Sequence, residues 1–363
     1  MAQGNDAGEL RALREKIDAI DEELQRLISQ RAELAVAVAR AKQAAGDAQF
    51  YRPEREAAVL KQVLARNAGP LRNEEMARLF REIMSACLAL ESPLRIAYLG
   101  PEGTFTQQAA LKHFGHSVRT ASLGSIDEVF RDVESGAAHF GVVPIENSTE
   151  GVVNHTLDRF MSSPLQICGE VDLRIHQHLM RKVGGLEGIT RIVSHQQSLA
   201  QCREWLDAHM PKVERVAVAS NAEAARQAAQ DPKLAAVGGS SAAEIYGLEL
   251  LAANIEDNPD NITRFLVIGM LAAGRTGDDK TSLLISGRNR SGSLAQLLGP
   301  LAKYKINMTR IESRPSRTAL WEYVFFIDID GHVQDPHLKQ ALGELEAEAA
   351  FVKLLGSYPK AVL

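Results

Sequence analysis

The chain has 363 residues, too many for one ordinary hydrophobic core, so two or three domains are expected. Its 41 basic and 46 acidic residues leave a formal net charge of -5 with no basic run or stripe, which argues against nucleic acid as the main partner. Cys87, Cys168 and Cys202 show neither disulfide nor zinc spacing, no stretch nears the roughly eighteen unbroken apolar residues of a membrane span, and MAQGNDAGEL lacks the charged-then-apolar plan of a signal peptide. The expectation is a cytoplasmic protein without membrane or metal.

Leu10, Leu13, Ile17, Ile20, Leu24, Leu27, Leu34, Val38 and Ala41 recur in steps of three and four, the stripe of one amphipathic helix over 10–42. Arg31 falls inside that seam. A guanidinium there costs on the order of several kcal/mol to desolvate, so it calls for a carboxylate, from a bound dianion or from an acid such as Glu33 folding over. Lys42 follows about 16 Å up the axis on nearly the same face, and Arg14, about a quarter turn off, is set to reach a neighbouring chain. A coiled-coil arm with solvated charges would explain Arg14 and Lys42, but not Arg31.

Beyond a break over 45–51, Pro53 opens a second helix to about Arg66, and Asn73 caps a third that Ser92-Pro93 stops near Glu91. Three helices with one so long cannot bury its stripe alone, so an interleaved homodimer or a higher homo-oligomer is expected. The runs LREKIDAID, SQRAELAVAVARAK and YRPERE resemble the all-helical chorismate mutase family, over residues 1–92. The resemblance implies that Arg14 of a partner chain, Arg31, Lys42 and Arg55 hold the carboxylates and ether oxygen of chorismate, with Glu56 at its hydroxyl. It implies a pericyclic rearrangement to prephenate that needs no cofactor. Three positions depart from the family pattern: Arg52 replaces Asp, Cys87 replaces Ser, and Glu91 replaces Gln. Burial on the apolar face would raise the pKa of Glu91, and only its protonated form can donate to the ether oxygen.

From Arg95, short apolar runs alternate with helical ones, the mark of α/β layering. RIAYLG and FGVVPIENS read as strands, 104–114 as a helix, and Ser125-Ile-Asp-Glu128 as a capping box. Two lobes are expected, 94–165 with a returning strand at 262–270, and 166–260 between them, facing a crevice at the strand tips. Those tips carry Thr104, Thr106, Glu146, Asn147, Ser148, Ser194, Gln201, Ser220 and Asn261 to Arg264. Singly, a Ser or Thr in such a place is more often a helix cap than a catalyst. Together they make a donor-rich cleft with one cation, Arg264, suited to a small organic acid, because no phosphate-cradling glycine loop is present.

YLGPEGTFT, GVVPIENSTEG and NITRF resemble prephenate dehydratase over 94–272, which implies a two-lobed, periplasmic-binding-protein-like domain that removes CO2 and water from prephenate to give phenylpyruvate. The likeness makes Thr263 essential. A hydroxyl is a weak acid, so Thr263 is expected to polarise the leaving oxygen, with Glu146 as proton donor if burial keeps it protonated. Arg264 is expected to anchor a carboxylate, and Asn147, Gln201 and Phe265 to contact the substrate. Asn221 departs from the Thr frequent in the family after Ser220.

AAGRTGDDK reads as a linker. After it come a strand (TSLLISG), a helix (293–304), strands at 307–312 and 320–330, a helix (336–348) and a strand (351–357), the βαββαβ order of a ferredoxin-like unit without a catalytic cluster. GRNRSGSLAQLL and NMTRIESRP resemble an ACT domain, over 280–360, of the type that binds phenylalanine. The likeness places the ligand's carboxylate on the amides of Gly292, Ser293 and Leu294, and its amino group near Asn307, Met308 and a turn formed by Glu312, Ser313, Arg314 and Pro315. That turn has the plainer reading of a link between strands. The three resemblances together imply a multidomain bifunctional enzyme taking chorismate to prephenate to phenylpyruvate under feedback by phenylalanine. A non-catalytic sensor of the same layout would leave Arg31 unused, and a nucleic-acid regulator would need a basic patch.

Overall fold

The structure, a computed structural model, describes residues 3–46, 51–288, 290–316 and 323–362. Three helices come first: α1 (Gln3–Ala44), α2 (Pro53–Arg66) and α3 (Asn73–Glu91). Helix α1 is 42 residues long, about 63 Å at 1.5 Å per residue. It packs on α3, which also packs on α2. Pro53 sits in the first turn of α2 as expected, whereas Asn73 is already helical, its side chain accepting from Asn67 Nδ2, and Arg72 precedes it without a side-chain cap. The α1 stripe stays uncovered within this chain: Leu10, Leu13, Ile17, Ile20, Leu24, Leu27, Leu34 and Val38 are each 46–67% exposed.

The middle of the chain builds two sheets. The first lobe contains β1 (Arg95–Leu99), α4 (Phe105–Phe114), β2 (Arg119–Leu123), α5 (Ile126–Glu134), β3 (Phe140–Asn147), β4 (Gly151–Val152), α6 (Asn154–Ser162) and β5 (Gln166–Arg174). The second contains β6 (His178–Arg181), β7 (Arg191–His195), α7 (Gln196–Gln201), α8 (Arg203–His209), β8 (Glu214–Val218), α9 (Asn221–Gln230), β9 (Leu234–Gly238), α10 (Ser240–Tyr246) and β10 (Glu249–Ala252). The chain then returns to the first lobe as β11 (Ile262–Gly269). Strand order is β2-β1-β3-β11-β5 in the first sheet, with β4 beside β3, and β10-β6-β9-β7-β8 in the second. The expected lobe boundary at 166 is therefore corrected: β5 pairs antiparallel with β11 along its whole length, and the crossing lies at 175–177. A strand buried on both faces over 167–171 suits either sheet, so composition could not assign it. Ser125 caps α5 as expected, accepting from the Glu128 amide at 3.2 Å, while the Glu128 carboxylate reaches back to the Gly124 amide at 2.9 Å.

The last unit holds β12 (Asp279–Ser286), α11 (Ser293–Lys303), β13 (Met308–Pro315), β14 (Tyr323–Asp330), α12 (Pro336–Glu348) and β15 (Phe351–Pro359), in the order β13-β14-β12-β15. Residues 320–322 of the expected strand lie outside the described residues. Strand alternation divides the side chains of this sheet between two cores. Leu283, Ile285, Ile327 and Ile329 face α11 and α12, with Leu297, Leu301, Leu338 and Leu345. Leu284, Phe326, Leu355 and Tyr358 face the first lobe, joining Ile145, Leu157, Phe160 and Leu266 in one continuous core. The contact is close enough that a Cβ on Gly356 would collide with the backbone of Ile167. The central strands β12 and β14 are thus buried on both faces, while β13 keeps one face exposed, and the first lobe is the wall that covers the side away from the helices.

Candidate active sites

The crevice between the lobes has a volume of about 330 Å³. Thr104, Thr106, Asn147, Gln201, Ser220, Thr263 and Phe265 line it, as the sequence led one to expect. Sequence reasoning missed Phe105, Glu150, Gln177, His195, Gln197 and Ser198, which also line it, and gave Asn221 no contact role. Gln177 stands at the crossing between lobes, a position that becomes visible only once β5 is placed in the first sheet. A second hollow of about 220 Å³ shares Glu150 and Gln201 with the crevice and adds Asn261.

One hydrogen-bond cluster sits at the tips of β3 and β11. Asn147 Nδ2 donates to Asn261 Oδ1 at 2.8 Å and to Thr263 Oγ1 at 2.7 Å, while Asn147 Oδ1 accepts from the amides of Thr149 and Glu150 at 3.0 Å each. All four bonding positions of this amide are spent inside the protein, so Asn147 acts on Thr263 and not on a ligand. Thr263 Oγ1, already an acceptor, keeps its own O–H to donate into the crevice. In the second lobe, Asn221 Oδ1 accepts from Ser194 Oγ at 3.0 Å and from the His195 amide at 3.2 Å, and Asn221 Nδ2 donates to Ser198 Oγ at 2.8 Å. Ser194 is fully buried, its one hydroxyl hydrogen shared between Asn221 Oδ1 and the nearer Val237 carbonyl, so it holds the wall and does not line it. Gln177 Nε2 donates to Ser198 Oγ at 3.0 Å.

Three expected contacts are corrected. Arg264 points away from the crevice: Nε reaches Glu170 Oε2 at 2.8 Å, Nη1 reaches Asp328 Oδ2 at 2.7 Å and Nη2 reaches the Tyr358 hydroxyl at 3.1 Å. Between Thr263 and Phe265, strand alternation leaves it no other face. Glu146 likewise faces the last unit, 2.9 Å from Arg310 Nε. A bulge explains why it does: Arg264 pairs with Glu146 but Phe265 with Pro144, so Ile145 and Glu146 both turn from the crevice while Pro144 and Asn147 line it. Ser148 is exposed and spends its hydroxyl on β11, accepting from the Ile262 amide at 3.0 Å. Among the described residues lining the crevice there is no Lys or Arg. Positive potential there comes from the starts of α4, where Thr104 accepts from the Gln107 amide, and α9, where Ser220 accepts from the Glu223 amide at 3.0 Å.

At the first unit, Arg31, Lys42 and Glu91 come together. Burial holds the Glu91 carboxyl above its ordinary value against the fields of Lys42 and Arg31, and its Oε2 is buried without a hydrogen-bond partner. Cys87 is buried one turn earlier on α3. Arg14 is exposed far down α1 and Arg55 is exposed on α2; Arg52 lies 3.9 Å from Glu54. Glu56 is a further correction. Its carboxylate lies 3.8 Å from Arg81 Nε on α3, in a hollow shared with Tyr51, Lys112 and His113 where the three units meet, and not beside Arg31. Burial pushes it up to about 7, opposed by Arg81 and the Tyr51 hydroxyl. The Tyr51 hydroxyl hydrogen-bonds His113 Nε2 at 3.0 Å, and burial, reinforced by Arg81, lowers His113 to about 3.

In the last unit, Gly292 takes a left-handed conformation (φ 77°) and starts α11, so the amides of Ser293 and Leu294 begin that helix. Asn307 Nδ2 donates to Asp330 Oδ2 at 2.8 Å, beside Met308. The expected turn of Glu312, Ser313, Arg314 and Pro315 is instead the end of β13, paired with β14 through Phe326, Phe325, Val324 and Tyr323. Arg314 is spent on Asp158 of α6 at 2.8 Å. Among the described residues no group of three or more His, Cys, Asp or Glu is placed to hold a metal, and no helix is long and apolar enough to cross a membrane.

Comparison with known proteins matches each unit. Residues 13–92 match chorismate mutase type II, 96–272 prephenate dehydratase, and 281–347 the ACT domain. A bifunctional chorismate mutase/prephenate dehydratase of Stutzerimonas stutzeri is 60% identical over 364 residues, covering 99% of this chain and 100% of the relative. That of Pseudomonas aeruginosa is 58% identical over 363 residues, with coverages of 99% and 100%. Among solved structures, the prephenate dehydratase of Arthrobacter aurescens in complex with L-Phe superposes with a TM-score of 0.69 at 35% identity, covering 73% of this chain and 90% of its own. With all three units matched in order and relatives matched from end to end, the chain belongs to the bifunctional chorismate mutase/prephenate dehydratase family.

Proposed function

We propose that the dehydratase step runs in the crevice between the lobes, with Thr263 as the group that acts on the leaving hydroxyl. The observation that carries this is the Asn147–Thr263 hydrogen bond at 2.7 Å, which fixes Oγ1 and directs its remaining hydrogen outward. Decarboxylation of prephenate sends the electrons of the ring–carboxylate bond into the ring, the ring aromatises, and the C–O bond at the opposite carbon breaks. The departing oxygen takes a proton and leaves as water. Thr263 donates a hydrogen bond to that oxygen as charge grows on it. Glu150 and His195, the titratable side chains among the described lining, can relay the proton. The starts of α4 and α9 and the Ser and Gln hydroxyls and amides receive the carboxylates. Thr106, Gln201, Ser220 and Phe265 complete the substrate's walls.

The mutase step is proposed at the junction of α1 and α3. Arg31 and Lys42 meet the carboxylates and ether oxygen of chorismate, and Glu91, whose pKa burial raises, donates in its protonated form to the ether oxygen as it breaks free. Arg14 lies too far along the same helix to join them, which supports a site shared between two copies whose α1 stripes cover each other. Arg55 faces solvent in one chain, and it closes this site only in such a dimer. Phenylalanine is proposed to bind the last unit at the start of α11, through the amides of Gly292 to Leu294, near Asn307 and Met308.

Thr263→Ala in the full chain removes dehydratase turnover, by about a hundredfold or more, and leaves mutase turnover unchanged; retained dehydratase activity takes Thr263 out of the mechanism. Because the Glu91 pKa is raised and the active form is protonated, mutase kcat rises as pH falls through that pKa. Glu91→Gln keeps the donor at every pH and flattens the profile, and a mutant profile that still follows the wild type refutes the role. Arg14→Ala and Arg31→Ala chains are each inactive as mutases alone, and mixing them after unfolding and refolding restores activity through the one intact site of each mixed dimer. No recovery on mixing contradicts the shared site.

A further inference from the structure

The two strands that present Thr263 and Asn147 to the crevice present a second pair of side chains to the opposite face. Arg264 follows Thr263, and Glu146 precedes Asn147; in the β3–β11 register Thr263 pairs with Asn147 and Arg264 with Glu146. Both members of the second pair end on the ACT unit. Arg264 is gripped by Asp328 of β14, by the Tyr358 hydroxyl of β15, and by Glu170 of β5, which also holds Lys280 of β12 at 2.7 Å. Ser282 of β12 completes the ring, donating to Asp328 Oδ1 at 2.5 Å and sharing a hydrogen bond of 2.8 Å with Tyr358. Glu146 meets Arg310 of β13 at 2.9 Å.

From this parity we infer that Arg264 and Glu146 are positioning residues of the dehydratase site, through which the ACT sheet braces the Thr263–Asn147 pair. The inference rests on the reading of Thr263 and Asn147 given above. Side chains of Arg264, Glu170 and Asp328 are 14%, 4% and 7% exposed, so each charge depends on the others for compensation and no member can move alone. Any shift of β14 or β15 against the lobe pulls on Arg264, and the next Cα along the strand carries Thr263. A displacement of about 1 Å at a reacting group suffices to cost about a hundredfold in rate, so a rigid brace one residue away has direct kinetic weight. The bulge at Ile145 and Glu146 serves the same end on β3: it turns Glu146 to Arg310 and leaves Asn147 aimed at Thr263. An ion cluster that only glued the ACT unit to the lobe could lie anywhere along β3 and β11. This one lies at the residues adjoining the reacting pair.

The test uses the full chain with Arg264→Lys on β11 and Asp328→Asn and Tyr358→Phe on the ACT unit, and reads kcat and KM for prephenate, mutase kcat, and inhibition by phenylalanine. Arg264→Lys keeps the charge but not the three-way fork. Arg264→Lys and Asp328→Asn each lower dehydratase kcat about tenfold or more with KM moved less than about twofold, mutase kcat stays at the wild-type value, and the double variant is no worse than the poorer single one. In Asp328→Asn, phenylalanine still binds by calorimetry while its effect on kcat shrinks. If the Arg264 and Asp328 variants do not fold, Tyr358→Phe decides, since it removes only one hydroxyl and keeps the ring: a fall in dehydratase kcat alone supports the brace. Wild-type kcat in every folded variant, or a parallel fall of mutase and dehydratase, overturns it. Thr263→Ala measured alongside separates the two readings, because an inactive Thr263→Ala with unaffected Arg264→Lys and Asp328→Asn sinks the brace and spares the site.

Discussion

The antiparallel ladder between β3 and β11 is the constraint on which the dehydratase half of the molecule depends. Its key partners, Asn147 and Thr263, stand 116 residues apart, and everything between them belongs to the rest of the first lobe or to the second. Closing a loop of that length carries an entropic cost that grows only slowly with length, and the ladder, paired on its other side with β5, meets it with apolar burial along Phe265 to Ile268. Because β11 returns from the second lobe into the centre of the first sheet, the crevice lies beside its tip. One face of the ladder then lines the crevice and the other meets the ACT unit.

The electrostatics of the two reactions differ for a physical reason. Rearrangement of chorismate loses no carboxylate, so formal cations such as Arg31 and Lys42 can hold the dianion from ground state to transition state and favour the ether oxygen as it gains charge. Loss of CO2 from prephenate requires a carboxylate to give up its charge to the ring. A guanidinium clamped on that carboxylate would stabilise the ground state more than the transition state. The crevice instead offers amides, hydroxyls and helix starts, and Arg264, next to Thr263 in the chain, is neutralised by Glu170 and Asp328 on the far face. What first reads as a misplaced cation is consistent with a site that has to release charge.

Much of this was legible in the residues. The α1 stripe, Pro53 at the start of α2, the Ser125 capping box and the βαββαβ order of the last unit each rest on local rules that neighbouring chain does not override. Thr104, Thr106, Ser220 and Thr263 were found because strand tips and helix starts in open α/β sheets meet at a crevice. The errors share one cause, which is that direction across a strand depends on register. A single bulge turned Glu146 from the crevice, simple alternation turned Arg264, and β5, buried on both faces, gave no sign of which sheet it joins. Glu56 was misplaced because the hollow that takes it is formed by three units, two of them distant in sequence. Glu312 to Pro315 extends a strand because Tyr323 to Phe326 pair with it, a long-range fact that the turn-like composition of ESRP conceals.

The uncovered face of α1 and the doubly covered ACT sheet describe the two ways this chain connects its parts. The first leaves about half of each large apolar side chain in water, surface whose burial is worth roughly 25 cal/mol per Å². The second buries both faces of β12 and β14, so a change in those strands is felt by the lobe beneath them. Hydrogen–deuterium exchange of the full chain, with and without saturating phenylalanine, reads that transmission most directly. The account predicts that exchange changes at the amides of 145–148 and 262–265 together with those of β14 and β15, while β8 at the far edge of the second lobe stays as it was. Binding of phenylalanine that alters the ACT strands and leaves 145–148 and 262–265 unchanged would contradict it.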